Sequence, residues 1–75
     1  MSTDNSTVTQ ADLLEALIQR RLVGRASVRD FRLVAQDQGL VLRGRASTYY
    51  AKQIAQHAAM ETTGLPILAN EIEVR

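Results

Sequence analysis

The chain contains no cysteine, which excludes a disulfide framework, a thiol nucleophile and a thiolate metal site. Its one histidine, His57, is too few for a histidine-based metal site. No catalytic motif is present, so we expect no metal, no cofactor and no enzymatic activity. Aromatic residues make up only 4% of the chain and a GxxG loop is missing, which argues against nucleic acid as a partner.

Long apolar runs are also absent, and none approaches the roughly 20 residues that a membrane-spanning helix needs. Residues 1–9 lack the basic and apolar regions of a signal peptide, so the chain as written is expected in the cytoplasm. The net charge of +1 gives no overall attraction to nucleic acid or membrane. Attraction to an anionic partner must therefore come from a local patch of charge.

The 75 residues are enough for one domain and not for two. Residues 1–8 are polar and are predicted to be disordered, and residues 9–75 are predicted to form the domain. A domain of this size buries only about 60% of the surface that its unfolded chain exposes. Each apolar stripe in the sequence is therefore expected to face the core.

The first apolar stripe predicts a helix. Thr9 suits the N-cap, Asp12 follows it in a variant of the capping box, and Val8 can pack onto the helix. Gly24 is a suitable stop. Between these ends, apolar residues recur at helical spacing, at Leu13, Leu14, Leu17, Ile18 and Leu22.

A β-hairpin follows this helix. Residues 28–36 alternate in polarity, a turn is predicted over residues 37–39, and Leu40 and Leu42 continue the alternation. One register places the large apolar residues on one face, and a slip by one residue would split them. This register pairs Ala35 with Leu40, Leu33 with Leu42, Val34 with Val41, Arg32 with Arg43 and Asp30 with Arg45.

A second helix and a last strand complete the pattern. Ser47 is a good N-cap, and Gly64 followed by Pro66 ends the helix near Thr63. The inward face of this helix is mostly small, with Ala51, Ile54, Ala55, Ala58 and Thr62. The strand over residues 67–75 is expected to turn Leu68, Ile72 and Val74 inward, and Ile67, Ala69, Glu71, Glu73 and Arg75 outward.

These elements predict an α+β fold of order α-β-β-α-β, in which two helices pack on one face of a three-stranded sheet. The helix between the second and third strands is a crossover, which makes those two strands parallel. Two strand orders are open, because the third strand can lie beside the second or beside the first.

The glycines and apolar residues from the hairpin to the last strand match the pattern of a known family, at Asp37, Leu40, Leu42, Gly44, Ile54, Ala55, Gly64, Leu65, Leu68, Asn70, Ile72 and Val74. Through these positions the chain resembles the BON domain, a small module of bacterial envelope, osmotic-stress, nodulation and secretion-associated proteins. The resemblance covers about residues 11–74. In one departure, Gln38 stands directly after the turn acid, where the family has glycine, and Gly39 follows.

This resemblance implies a non-catalytic interaction module that binds a phospholipid surface or a protein partner, and its members are often periplasmic or associated with the envelope. The alternative interpretation is a structural domain that assembles into homo-oligomers. RNA binding is a distant third interpretation.

Four arginines form the densest basic cluster in the sequence, Arg20, Arg21, Arg25 and Arg29. As contacts for anionic head groups, such residues contribute about 1 kcal/mol each. The other interpretation is structural: the arginines in the last turn of the helix interact favourably with its dipole, and the following arginines belong to a solvated loop. Tyr49 and Tyr50 open the second helix, where an exposed tyrosine would anchor the domain to a head-group layer or a partner.

A second candidate set lies on the outward face of the predicted sheet. Its arginines are interpreted as an anion-binding surface and its valines as a self-association patch. The other interpretation is that Glu71, Glu73 and Asp30 neutralise the arginines. The members of the set are Arg32, Arg43, Arg45, Val34 and Val41, with Ile67 and Ala69 extending the apolar patch.

Overall fold

The structure is a computed structural model that describes residues 10–75. It contains helix α1 (Gln10–Leu22), strands β1 (Val28–Gln36) and β2 (Gly39–Ala46), helix α2 (Tyr49–Thr63) and strand β3 (Ile67–Val74). The predicted α+β fold and its order of elements are confirmed. The predicted disordered segment at residues 1–8 and the predicted capping roles of Val8 and Thr9 lie outside the described residues.

The three strands form one mixed sheet in the order β1-β2-β3. Strand β1 is antiparallel to β2, and β3 is parallel to β2. Of the two strand orders that the sequence leaves open, β3 therefore takes the place beside β2.

The predicted hairpin register is confirmed over most of its length. The observed pairs include Ala35 with Leu40, Leu33 with Leu42, Val34 with Val41, and Arg32 with Arg43. The turn itself is shorter than predicted, because Gly39 already belongs to β2 and pairs with Gln36. A Cβ on Gly39 would overlap the Pro66 carbonyl oxygen, which accepts a hydrogen bond from the Leu40 N–H at 2.9 Å. Close approach of the backbone therefore explains the position of this glycine.

The predicted pairing of Asp30 with Arg45 is wrong, because β1 contains an irregularity between Arg29 and Arg32. Arg29 pairs with Arg45, so two residues of β1 lie opposite Gly44. Asp30 has a φ of 53°, in the left-handed region that aspartate tolerates better than most residues. A Cβ on Gly44 would lie 3.0 Å from the Arg29 carbonyl oxygen, so glycine makes room for this β-bulge.

A second irregularity in β3 corrects the predicted sidedness of its first residues. Ile67 pairs with Leu40 and Ala69 pairs with Val41, which leaves Leu68 as an extra residue. Ile67, which was expected to face outward, packs against the core. Leu68, which was expected to face inward, is 46% exposed.

The ends of α2 follow the sequence except at the N-cap. Thr48 is the N-cap in place of the predicted Ser47, and its side-chain oxygen accepts a hydrogen bond from the Ala51 N–H at 3.0 Å. Gly64 is the C-cap as predicted, and its N–H donates to the Met60 carbonyl at 2.8 Å. The last strand then begins after Pro66.

The core lies between the sheet and the two helices. The alanines of α2 allow close packing on the strands, as the small residues of its inward face indicate. The prediction for α1 is partly wrong, because Leu13 is 56% exposed and Leu17 is 48% exposed. The buried cluster consists of Ile18, Leu22, Phe31, Leu33, Leu40, Leu42, Ala46, Ala51, Ala55, Ala58, Ala59 and Ile72.

Helix α1 covers the outer edge of β1 with polar side chains. A Glu15 carboxylate oxygen accepts a hydrogen bond from the Leu33 N–H at 2.9 Å. The Gln19 amide donates to the Phe31 carbonyl at 3.4 Å. These contacts satisfy backbone groups that an edge strand otherwise leaves unpaired. They also explain why the buried stripe of α1 is narrower than its apolar pattern predicts.

Asn70 connects β3, the other edge strand of the sheet, to α2. Its amide nitrogen donates to the Lys52 carbonyl and to the Gln56 side chain, each at 3.1 Å. Its side-chain oxygen accepts a hydrogen bond from the Ile72 N–H at 3.2 Å. Asn70 therefore bonds both to the backbone of its own strand and to the helix. Among residues 10–75, neither helix is long and apolar enough to cross a membrane.

Candidate anion-binding site

The arginines of the first predicted set lie around the end of α1 and the start of β1. Arg20 and Arg21 occupy the last turn of α1, Arg25 lies in the following turn, and Arg29 lies in β1. Arg21 binds Glu61 of α2 at 3.3 Å. Within residues 10–75, no carboxylate lies at ion-pair distance from the other three arginines of the set.

The second predicted set is divided by its ion pairs. Arg32 binds Glu15 of α1 at 3.4 Å, a partner that the strand pattern does not indicate. Arg43 binds Glu71 at 3.0 Å, which agrees with the interpretation that acidic residues neutralise the arginines of the sheet face. In the part of the chain that the structure describes, Arg45 has no carboxylate at ion-pair distance.

The valines of the second set belong to a short apolar row across the outer face of the sheet. Val34 pairs with Val41, and Val41 pairs with Ala69. Val34 is 37% exposed, whereas Val41 between its neighbours is only 7% exposed. Ile67 does not extend this row, because it packs against the core. The apolar patch is therefore narrower than the sequence predicts.

The β1 bulge brings the two predicted sets together. Because Asp30 and Phe31 share the position opposite Gly44, Arg29 of the first set faces Arg45 of the second. Like charges directly opposite each other on neighbouring strands destabilise a sheet. The remaining arginines of the two sets do not line the surface at which Arg29 and Arg45 meet.

Arg29 and Arg45 line an open depression at the end of the sheet, with a volume of about 450 Å³. Arg75 also lines it, held in place because its backbone N–H donates to the Ala46 carbonyl at 2.9 Å. Two hydroxyl side chains complete the polar lining, Ser27 before β1 and Ser47 before α2. We call this surface the arginine depression.

The arginine depression carries an excess of positive charge. Among residues 10–75, no acidic residue lines it. Glu73 is the strand partner of Arg45, but its carboxylate binds Arg75 at 3.1 Å. The first turn of α2, which begins beside Ser47, also has no acidic residue to offset the positive end of its helix dipole. Three guanidinium groups therefore line the depression, whereas the carboxylates of Asp30, Glu71 and Glu73 line a neighbouring surface that Arg45 also touches.

Two tyrosines follow shortly after Ser47, the last residue before α2 that lines the depression. Tyr49 and Tyr50 open α2 and are 63% and 66% exposed. The Lys52 ammonium lies 5.8 Å from the centre of the Tyr49 ring, which is within the range of a cation–π contact. Both rings can therefore contact a partner or a membrane surface. Tyr49 lies two positions after Ser47 in the chain.

Sequence reasoning did not place Ser27, Ser47 and Arg75 in a site with Arg29 and Arg45. One signal was present, because Val28 and Phe31 are both apolar and lie three positions apart, which is an odd spacing. In a straight strand they would face opposite sides, so burying both requires a bulge. Val28 and Phe31 do both contact the core.

Among the residues that the structure describes, no group of three or more His, Asp or Glu side chains could hold a metal ion. The side chains that line the depression supply hydrogen-bond donors and fixed positive charge. Comparisons of the chain with protein-family models, with curated proteins and with solved structures gave no match.

Proposed function

We propose that the protein is a non-catalytic interaction module, of the kind that the BON resemblance implies, and that it binds an anionic phospholipid surface. The observation that supports this function is the arginine depression, which Arg29, Arg45 and Arg75 line; among residues 10–75, neither Arg29 nor Arg45 has a carboxylate at ion-pair distance. The exposed tyrosines at the start of α2 also suit a head-group layer, because an amphipathic ring is stable there.

The expected energy of this association is modest. A basic residue near an anionic leaflet contributes about 1 kcal/mol, and the effect falls off within a Debye length of about 8 Å at physiological salt. Three arginines therefore give weak, salt-sensitive and reversible binding. Membrane attachment of this strength depends on the lipid charge and on the number of arginines at the contact.

Vesicle co-sedimentation tests this function. The protein is mixed with vesicles of phosphatidylcholine alone or with 20 mol% phosphatidylglycerol or phosphatidic acid, at low and at physiological salt (about 8 Å Debye length). We expect binding only where anionic lipid is present, and weaker binding at the higher salt. Equal sedimentation with neutral and anionic vesicles, or none with either at low salt, would contradict the proposal.

A matched pair of double variants locates the contact. Arg29→Gln with Arg45→Gln removes two arginines of the depression, and we expect at least a tenfold loss of binding, since two contacts of about 1 kcal/mol each are removed. Arg32→Gln with Arg43→Gln removes the same charge from arginines that are ion-paired on the sheet face. An equal loss in both double variants would mean that binding follows net charge and not the depression.

Self-association is a second candidate function, supported by the apolar row on the outer sheet face. Val34, Val41 and Ala69 lie in register across all three strands, and Val34 is 37% exposed. Light scattering over a concentration series tests it. A mass that rises with concentration, and that returns to the monomer in Val34→Thr, would favour this function, whereas a constant monomer mass would remove it.

A further inference from the structure

The facing pair of Arg29 and Arg45 places two like charges together without a neutralising partner at ion-pair distance among residues 10–75. The two residues face each other across β1 and β2. The bulge at Asp30 creates this pairing, because an unbroken alternation would have placed an aspartate opposite Arg45. An anion held between the two guanidinium groups would convert their repulsion into attraction.

We propose that the arginine depression is a binding site for a phosphomonoester group. Such a group carries about −1.5 to −2 charges at neutral pH and three terminal acceptor oxygens. Arg29, Arg45 and Arg75 supply three guanidinium groups, whose planar array of donors suits phosphate oxygens. A phosphodiester has only two free oxygens and one charge, so it uses this set of donors less completely.

The two serines add donors on either side of this array. Ser27 precedes β1 and Ser47 precedes α2, and both hydroxyl side chains line the depression. Ser47 is free for this role because Thr48, and not Ser47, caps the helix. Asp30, Glu71 and Glu73 line a neighbouring surface together with Arg45. The ion pair of Glu73 with Arg75 is exposed, so its attraction for Arg75 is weak against a dianion.

This assignment deepens the proposed function and rests on it for the lipid as the source of the phosphate. The same chemistry occurs in a phosphatidic acid head group and in a soluble phosphomonoester. The binding chemistry and the source are therefore tested separately.

The chemistry is tested by titrating the folded protein with inorganic phosphate and with glycerol 3-phosphate, at constant ionic strength, while backbone amide shifts are recorded by NMR. Dimethyl phosphate is the diester comparison. We expect saturable shifts at Ser27, Arg29, Arg45, Ser47 and Arg75, with tighter binding of the monoesters. Non-saturable shifts spread over all surface arginines, or equal affinity for the diester, would overturn the assignment.

Two single variants and one control refine the titration. Arg29→Gln and Arg45→Gln are each expected to weaken monoester binding about tenfold, which is the usual loss for a hydrogen bond to a charged group. Lys52→Gln removes one charge from α2 outside the depression and is expected to leave the affinity within about twofold. Amide spectra of the free variants verify folding. An equal loss in Lys52→Gln would overturn the proposal.

The source is tested with vesicles that contain phosphatidic acid or phosphatidylglycerol. Preference for phosphatidic acid, lost in Arg45→Gln, supports both the module and its site. Saturable binding of glycerol 3-phosphate without vesicle binding would retain the site for a soluble ligand and remove the lipid function. Equal binding to both vesicles, with no saturable response to phosphate, would retain the lipid function and overturn the phosphomonoester site.

Discussion

At the scale of single residues, the backbone of Asp30 determines which charges meet. Its φ of 53° belongs to the left-handed region, which costs a residue with a Cβ about 1–2 kcal/mol and is tolerated best by glycine, asparagine and aspartate. The bulge turns Val28 toward the core and leaves Arg29 exposed. Without it, the same stretch of strand would turn Arg29 inward.

We predict that Asp30→Val lowers the free energy of unfolding by about 1–2 kcal/mol, because a β-branched residue is strained at this φ. Asp30→Gly is expected to be neutral or slightly stabilising, since the relief of strain offsets the greater chain entropy of glycine. Urea denaturation measures both. Gln36→Val, on an exposed position of the same strand, is the control, with an expected change within about 0.5 kcal/mol. No loss in Asp30→Val would contradict the strained bulge.

The facing arginines give a second residue-scale prediction. Arg29→Gln is expected to raise the free energy of unfolding by about 0.2–1 kcal/mol at low salt, because it removes a like-charge pair. Urea denaturation without phosphate measures the gain, which should fade in 1 M salt, where the Debye length is about 3 Å. Arg29→Lys retains the charge and should show no gain. A gain in both variants would point to chain propensity instead of repulsion.

At the scale of secondary-structure elements, α1 acts as a cover for the edge of β1. Glu15 and Gln19 bind the backbone of Leu33 and Phe31, so the strand edge is not open to another chain at these positions. Glu15 also binds Arg32. One side chain thus satisfies a backbone donor and neutralises a member of the sheet-face set.

We predict that Glu15→Ala speeds hydrogen exchange of the Leu33 amide about tenfold, because this donor loses its acceptor. Glu15→Gln keeps a side-chain oxygen and should preserve most of the protection, although it loses the pair with Arg32. The Leu40 amide, which donates to the Pro66 carbonyl, is the internal control. A parallel rise at Leu40 in Glu15→Ala would indicate a general loss of stability and not a local opening.

The helices, the strands and the central register of the hairpin could be predicted from the sequence. Only one register places Leu33, Leu40 and Leu42 on the same face of the sheet. The sequence was insufficient where a strand carries an extra residue. Ile67 and Leu68 are both apolar, so alternation alone fits either sidedness. The contact of Glu15 with Leu33 was not foreseen, because the polar residues of an amphipathic helix are assigned to solvent by default. The arginine depression could not be predicted because it depends on the extra residue in β1.

At the scale of the whole molecule, a nearly neutral chain carries a local concentration of positive charge in the arginine depression. The net charge is only +1, and the ion pairs of Arg21, Arg32 and Arg43 offset much of the positive charge away from the arginine depression. Binding of a partner at this one end therefore requires no overall basic character. It also means that a ligand of the depression acts on the stability of the entire small domain.

We predict that glycerol 3-phosphate at 100 times its dissociation constant raises the free energy of unfolding by about 2.7 kcal/mol, because it binds only the folded state. Thermal or urea denaturation at constant ionic strength measures this rise. In Arg29→Gln with Arg45→Gln, we expect only the small non-specific stabilisation that phosphate-type anions give to folded proteins. The same rise in the double variant would show that the stabilisation does not come from the depression.

The β1 bulge separates the placement of charge on the sheet from the composition of the chain. Asp30 is the extra residue of β1, because Asp30 and Phe31 both lie opposite Gly44. Deleting Asp30 would leave Phe31 alone opposite Gly44 and would keep Arg29 opposite Arg45. A chain with this single-residue deletion would therefore retain the three arginines of the depression on a regular strand, while its formal positive charge increases.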